Sequence, residues 1–313
     1  MNLREIKMKK PKPAQFLERK MNAKTLPTMI SDAVKEASPA LASALHPTLL
    51  VFLLFFPLSF MKQFLHEGGH ALVNLVHGVP IHFLYAHPFS FVGFVRPMVD
   101  FNNIWQHASG AVVGILVPLL IFILFWKRRS FYTLPFLMIF PWTAIFHGIG
   151  GVLDMLGHTG DYNNLMQITG WPAATFYSFN IILAVVGIFF FLLLLPLLGL
   201  APEDRKSLFV LPAGMLLYSA LGSLVADLFV PGSPIDVRYH LAHEILVSAY
   251  YRPFFMASIG VLLAVLFITI YRRVYERLPA GLRTVKLSRS WRDLWYPGLL
   301  FTISMILGFM VIL

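Results

Sequence analysis

The sequence has no cysteine, so disulfides and thiolate metal ligands are both excluded, and any bound metal must use His, Asp or Glu. Charge is also scarce: Asp, Glu, Lys and Arg make up 13% of the chain, about half the ~25% usual in soluble domains. Acidic residues are the rarer kind, 15 against 25 basic, which leaves a formal net charge of +10. Apolar residues fill the chain instead, 58% hydrophobic with a mean hydropathy of +0.72, and this composition reads as an integral membrane protein. Glycine and proline, 21 of each, are spread through the apolar runs, as transmembrane helices tolerate. A charge of +10 would also suit nucleic acid. The cations, however, sit in the flanks and loops of one membrane side, which predicts anionic lipid as the partner and no nucleic acid.

No apolar run occurs near the start. Residues 1–46 hold nine Lys or Arg and read as a retained basic cytoplasmic extension, with weak helical periodicity from Ser31 to Leu45. Seven apolar runs of about the ~20 residues a bilayer requires follow, near 48–77, 103–126, 131–151, 173–200, 207–230, 253–271 and 294–313. The expected fold class is an all-α polytopic membrane protein. Its parts are a four-helix membrane core over 47–200 and a C-terminal three-helix membrane region over 201–313. Lys and Arg outside the runs number nine in the N-terminal tail, three in 127–130, two in 201–206 and seven in 272–293, whereas the alternate loops hold only Arg96, Arg238 and Arg252. By the positive-inside rule the N-terminus is cytoplasmic and the C-terminus outside, in a cell membrane, with anionic lipid at the basic tail and the 272–293 loop. Ten of the eleven histidines fall on the other face: 66, 70, 77, 82, 87, 107, 147, 158, 240 and 243, but not His46. The polar chemistry is thus gathered at one membrane face, here the extracytoplasmic one.

The first run ends in Phe64 to His77, FLHEGGHALVNLVH, which contains His66-Glu67-Gly68-Gly69-His70. Helical spacing of four puts both imidazoles on one face, able to bind one metal ion, with Glu67 a further 100° round and able to hold a water on that metal. Charged and ionisable groups inside a span, here Lys62, His66 and Glu67, are expensive unless they face protein or water. Two consecutive glycines inside a helix cost about 1 kcal/mol each relative to Ala, so bare backbone is expected to serve the close approach of another helix or of a substrate.

A zinc site on His66 and His70 needs a third protein ligand and an open position. The loop between the third and fourth runs lacks Lys and Arg and offers Asp154, His158 and Asp161. Gly160-Asp161-Tyr162-Asn163-Asn164 is turn chemistry leading into a helix start, which would orient the Asp161 carboxylate. A second cluster, His240-Leu241-Ala242-His243-Glu244, lies on the same face and reads as an accessory group or a polar interfacial helix. His77, His82, His87 and His107 read as interfacial hydrogen-bonders, and His147 as a supporting residue near Asp154.

The HEGGH motif followed by Ala71-Leu72 at the end of a long helix resembles the zinc motif of the site-2 protease family of intramembrane metalloproteases, in particular its short membrane-only branch. The likeness covers roughly residues 60–175. Val79 to Val95, two extended pieces about His87-Pro88, matches the family's membrane-associated β-hairpin after the first helix. Gly110-Ala111-Val112-Val113-Gly114 matches its small-residue helix. Gly160-Asp161 with Thr169-Gly170-Trp171-Pro172 resembles its aspartate segment, although neither Asp154 nor Asp161 is followed by the family's glycine. The resemblance implies a zinc metalloendopeptidase with one Zn2+ per chain. His66, His70 and Asp161 would be the ligands, with Asp161 preferred to Asp154, and Glu67 would be the general base. The substrate would be a membrane-associated polypeptide added as a strand to the hairpin. Glu244 is an outside candidate for third ligand, by likeness to prenyl-protein endopeptidases. Two other classes compete: a non-proteolytic divalent-metal carrier using the same histidines, although no repeated halves are visible, and, ranked last, a di-iron oxidase.

Overall fold

The computed structural model describes residues 26–86, 93–97, 103–158, 160–204, 206–228 and 253–309. The chain divides into two units, 1–43 and 44–313. In the first, residues 26–43 are helical, as the N-terminal part of helix α1, Leu26–Val76. Among the described residues the second unit holds the rest of α1, a two-stranded sheet and the helices α2 Ile104–Trp126, α3 Leu134–Leu156, α4 Gly160–Thr169, α5 Ala173–Leu194, α6 Ser207–Leu228, α7 Pro253–Tyr275 and α8 Trp295–Phe309.

Five helices among the described residues are long and apolar enough to cross a membrane: Ser43–Val76 of α1, α2, α3, Ala173–Leu198 (α5 with the 3-10 turn that follows it) and α7. They match five of the seven expected runs to within a few residues. The other two expected runs coincide with apolar helices over the described residues, the stretch Leu208–Leu221 of α6 and Trp295–Phe309 of α8. The expected runs at 207–230 and 294–313 extend past 228 and 309, beyond the described residues.

Helix α3 is the centre of the bundle, buried almost continuously from Leu134 to Gly148. Small residues let its neighbours approach closely, as membrane helices require when apolar burial from water cannot drive them together. A Cβ at Gly187 of α5 would lie 2.7 Å from the Ile145 backbone nitrogen, and one at Gly148 of α3 would lie 2.6 Å from the Ala184 nitrogen. On the other flank Phe55 of α1 stacks on Trp142 at 4.4 Å between ring centroids, and Tyr218 of α6 packs on both Phe55 and Phe56.

Where α1 stops, Gly78 adopts φ +71 and the Val79 amide donates to the Asn74 carbonyl, a left-handed helix terminus that glycine accommodates without strain. Strand β1, Ile81–Ala86, pairs antiparallel with β2, Gly93–Pro97, with Leu84 opposite Val95 and an irregularity between Ile81 and Phe83. The end of α1, the start of α2, the end of α3 and the start of α4 meet at one end of the bundle. The opposite end is basic: Arg129 donates to the Arg283 carbonyl, Arg289 donates to the Leu197 carbonyl and lies over the Phe131 ring, and His46 bonds the Ser290 carbonyl.

Candidate metal centre

The site forms where the end of α1 crosses the start of α2. His66 and His70, one turn apart on α1, turn their imidazoles towards the first turns of α2, and glycine permits the crossing twice. A Cβ at Gly69 would overlap the Ser109 carbonyl oxygen and lie 2.8 Å from its carbon, so this glycine lets the α2 backbone lie against α1. A Cβ at Gly110 would overlap His70 Nε2 and lie 2.7 Å from both His66 Cε1 and His70 Cε1, so this glycine clears room for the imidazoles themselves. Among the described residues Gly68 has nothing within 4 Å of its Cβ position; a neighbouring helix there accounts for one glycine of the pair and not for the other.

Asp161 reaches the same point from the first turn of α4, where Gly160 at φ +74 reverses the chain out of α3. His66 Nε2 and His70 Nε2 are 3.2 Å apart, and Asp161 Oδ2 is 3.1 Å from His70 Nε2 and 3.3 Å from His66 Nε2. These three atoms form a nearly equilateral triangle that could hold a metal ion. Ligands at the ~2.0–2.1 Å typical of zinc stand about 3.3–3.4 Å apart in a tetrahedron, so the triangle is the size of one tetrahedral face, with the fourth position open among the described residues.

The hydrogen bonds around the triangle fix what its atoms can do. His70 Nδ1 lies 2.6 Å from the Gln106 carbonyl oxygen, which only accepts, so Nδ1 carries the proton and Nε2 turns a lone pair to the centre. Ser109 Oγ donates to the same carbonyl at 2.8 Å. Asn103 caps α2 by accepting from the Gln106 amide at 2.9 Å and so sets the turn that presents this carbonyl. The second Asp161 oxygen, Oδ1, accepts from His107 Nδ1 at 3.1 Å. Burial alone would push the Asp161 carboxyl up, but the His107, His66 and His70 imidazoles placed around it outweigh burial and hold the group well below the usual carboxylate range. Asp161 is therefore an anion facing two imidazole nitrogens. Glu67 is buried beside them, with Oε1 4.0 Å from His66 Nε2: outside the triangle, but within reach of its open position over one water.

The structure thus brings His66, His70, Asp161 and Glu67 together. It leaves Asp154 out of the triangle, with its carboxylate packed against Gly160. His158 is exposed with φ 55, and His77 bonds the Val73 carbonyl of its own helix. His87, His240, His243 and Glu244 lie outside the described residues, and the His82 side chain is likewise not described. His147 packs its ring on His66, 5.0 Å between centroids. Sequence reasoning missed the partners supplied by α2. His107, expected as an interfacial hydrogen-bonder, makes its hydrogen bond to Asp161 within the site, and Gln106 acts through its backbone, where no side chain could signal it. No protein-family model matches this chain, and searches of curated proteins and of solved structures return no match.

Proposed function

We propose that this protein is a membrane-embedded zinc metalloendopeptidase of the site-2 protease type that cleaves a membrane-associated polypeptide. The observation that carries the reading is the triangle of His66 Nε2, His70 Nε2 and Asp161 Oδ2 with sides of 3.1–3.3 Å, beside a buried glutamate. Charge supports it as well: one dication among two neutral imidazoles and the Asp161 carboxylate leaves a single positive charge, which Glu67 balances, so the loaded site is neutral where an unbalanced charge would be costly. A bound zinc ion would supply Lewis acidity, acidifying water and polarising a peptide carbonyl. Glu67 is the general base. It takes the proton of the attacking water and passes it to the amide nitrogen as the C–N bond breaks. Gln106 and His107 hold His70 and Asp161 in the orientation the ion needs. A substrate helix must unwind before its carbonyls are accessible, and the paired strands β1 and β2 offer an edge on which an unwound segment can add as a strand.

In this reading the protein has seven spans, with the strands lying in the membrane after the first. The N-terminus is cytoplasmic, the site lies nearer the extracytoplasmic face of the cell membrane, and the basic end rests on anionic lipid. The gathering of the triangle at one end of the bundle and of arginines at the other supports this orientation. The test is zinc content and cleavage by the purified protein and its variants. About one zinc per chain is expected, lost in His66→Ala and in His70→Ala, whereas Glu67→Gln keeps the zinc and loses cleavage. Cleavage retained in Glu67→Gln would end the mechanism, and metal flux that survives Glu67→Gln would point to a carrier instead.

A further inference from the structure

Each ligand of a metal site normally has its remaining polar atom tied to a partner that fixes its orientation. Here two of the three are tied: His70 Nδ1 to the Gln106 carbonyl and Asp161 Oδ1 to His107. The third is not. With His66 Nε2 turned to the triangle, its Nδ1 carries the proton, and this atom is buried without a hydrogen-bond partner among the described residues. The ring packed against it, His147 of α3, is also buried, and its Nε2 is likewise without a partner. The two centroids are 5.0 Å apart at an interplanar angle of 40°. Two orphaned polar atoms on adjacent rings, one needing an acceptor and the other able to accept, are complementary.

Building on the zinc reading above, we propose that His147 is the positioning residue for His66: its Nε2 accepts the His66 Nδ1 proton, directly after a small rotation of either ring or over one water, and so fixes the tautomer and plane of that ligand. Gly114 belongs to the same device. A Cβ there would lie 2.9 Å from His147 Nε2 but 3.6 Å, an ordinary contact, from His66 Cα, so the missing side chain leaves room for the His147 nitrogen in particular. The imidazole then has a role on a largely apolar, buried membrane helix, where a polar side chain is costly.

The test uses the full-length protein in detergent, measuring zinc affinity by competition with a chromophoric chelator and ligand geometry from the visible absorption of the Co2+-substituted form. His147→Phe keeps the ring and removes the acceptor, and should weaken zinc about 10- to 100-fold and change the Co2+ bands. His147→Gln keeps an acceptor and should restore affinity to within a few-fold of wild type with wild-type bands. Gly114→Ala displaces the His147 nitrogen without altering either histidine and should reproduce the His147→Phe loss; if His147→Phe does not fold, this variant decides. Zinc bound as tightly, with unchanged Co2+ bands, in His147→Phe or Gly114→Ala would overturn the assignment while leaving the zinc reading intact. A wild-type protein that binds no zinc would overturn the zinc reading itself.

Discussion

Gly110→Ala probes the centre without replacing any of the residues proposed to hold a metal. The added methyl would meet His66 Cε1 and His70 Cε1 at 2.7 Å and would overlap His70 Nε2 outright. Ordinary contact begins at about 3.4 Å, so each imidazole must retreat by roughly 0.7 Å or more. Metal sites tolerate about 0.2 Å of error in ligand placement, so a shift of this size takes both histidines out of register with a single ion. The apoprotein escapes more cheaply, because the atoms in the way are the far ends of side chains that can swing aside. Overpacking costs about 1–3 kcal/mol, and replacing a helix-interior glycine by alanine returns about 1 kcal/mol. The expected outcome is therefore a split. Apoprotein stability changes by no more than about 1–2 kcal/mol, while zinc affinity falls at least about 100-fold, the upper end of what loss of a supporting residue costs, or ~2.8 kcal/mol. Thermal unfolding of the metal-free protein and chelator competition read the two quantities separately. Zinc bound within threefold of wild type would refute the account of Gly110, and with it the geometry of the triangle.

The neighbouring glycines should behave differently. Gly69→Ala drives a methyl into the Ser109 backbone, which cannot swing aside, so stability and zinc should be lost together, by about 2 kcal/mol in unfolding free energy; an unchanged melting temperature would contradict the close crossing of α1 and α2. Gly68→Ala, with open space at its Cβ position, should leave zinc unchanged and stability equal or about 1 kcal/mol higher, and weaker zinc binding there would show that the space is filled. Asp161→Asn should lower zinc affinity about 100-fold or more while Asp154→Asn leaves it within a few-fold, and equal zinc content in wild type and Asp161→Asn would remove Asp161 from the site.

How far the sequence carried the structure depended on the range of each signal. The apolar runs report on the bilayer, whose thickness sets helix length, and five of them reappear as helices within a few residues of their expected bounds. HEGGH was legible because its spacing of four is a property of one helix, and Gly160-Asp161 because turn chemistry is local. What joins the two is not local. The triangle joins α1 to α4, and α2, which orients both His70 and Asp161, lies against α1 through bare backbone at Gly69 and Gly110, in sequence merely two small residues forty-one positions apart. The partners that orient the ligands were hidden for different reasons. The Gln106 carbonyl has no side-chain identity to read, and His107 sits in a helix start where a histidine more often meets water. The doubled glycine was legible as a cost, and a helix–helix contact accounts for only half of it. Among the described residues Gly68 meets nothing within 4 Å of its Cβ position beside His66 and Glu67; under the proposed protease reading, a substrate backbone lying there should make Gly68→Ala lose cleavage with zinc intact, and full cleavage by that variant would show that this side of α1 is not where substrate lies.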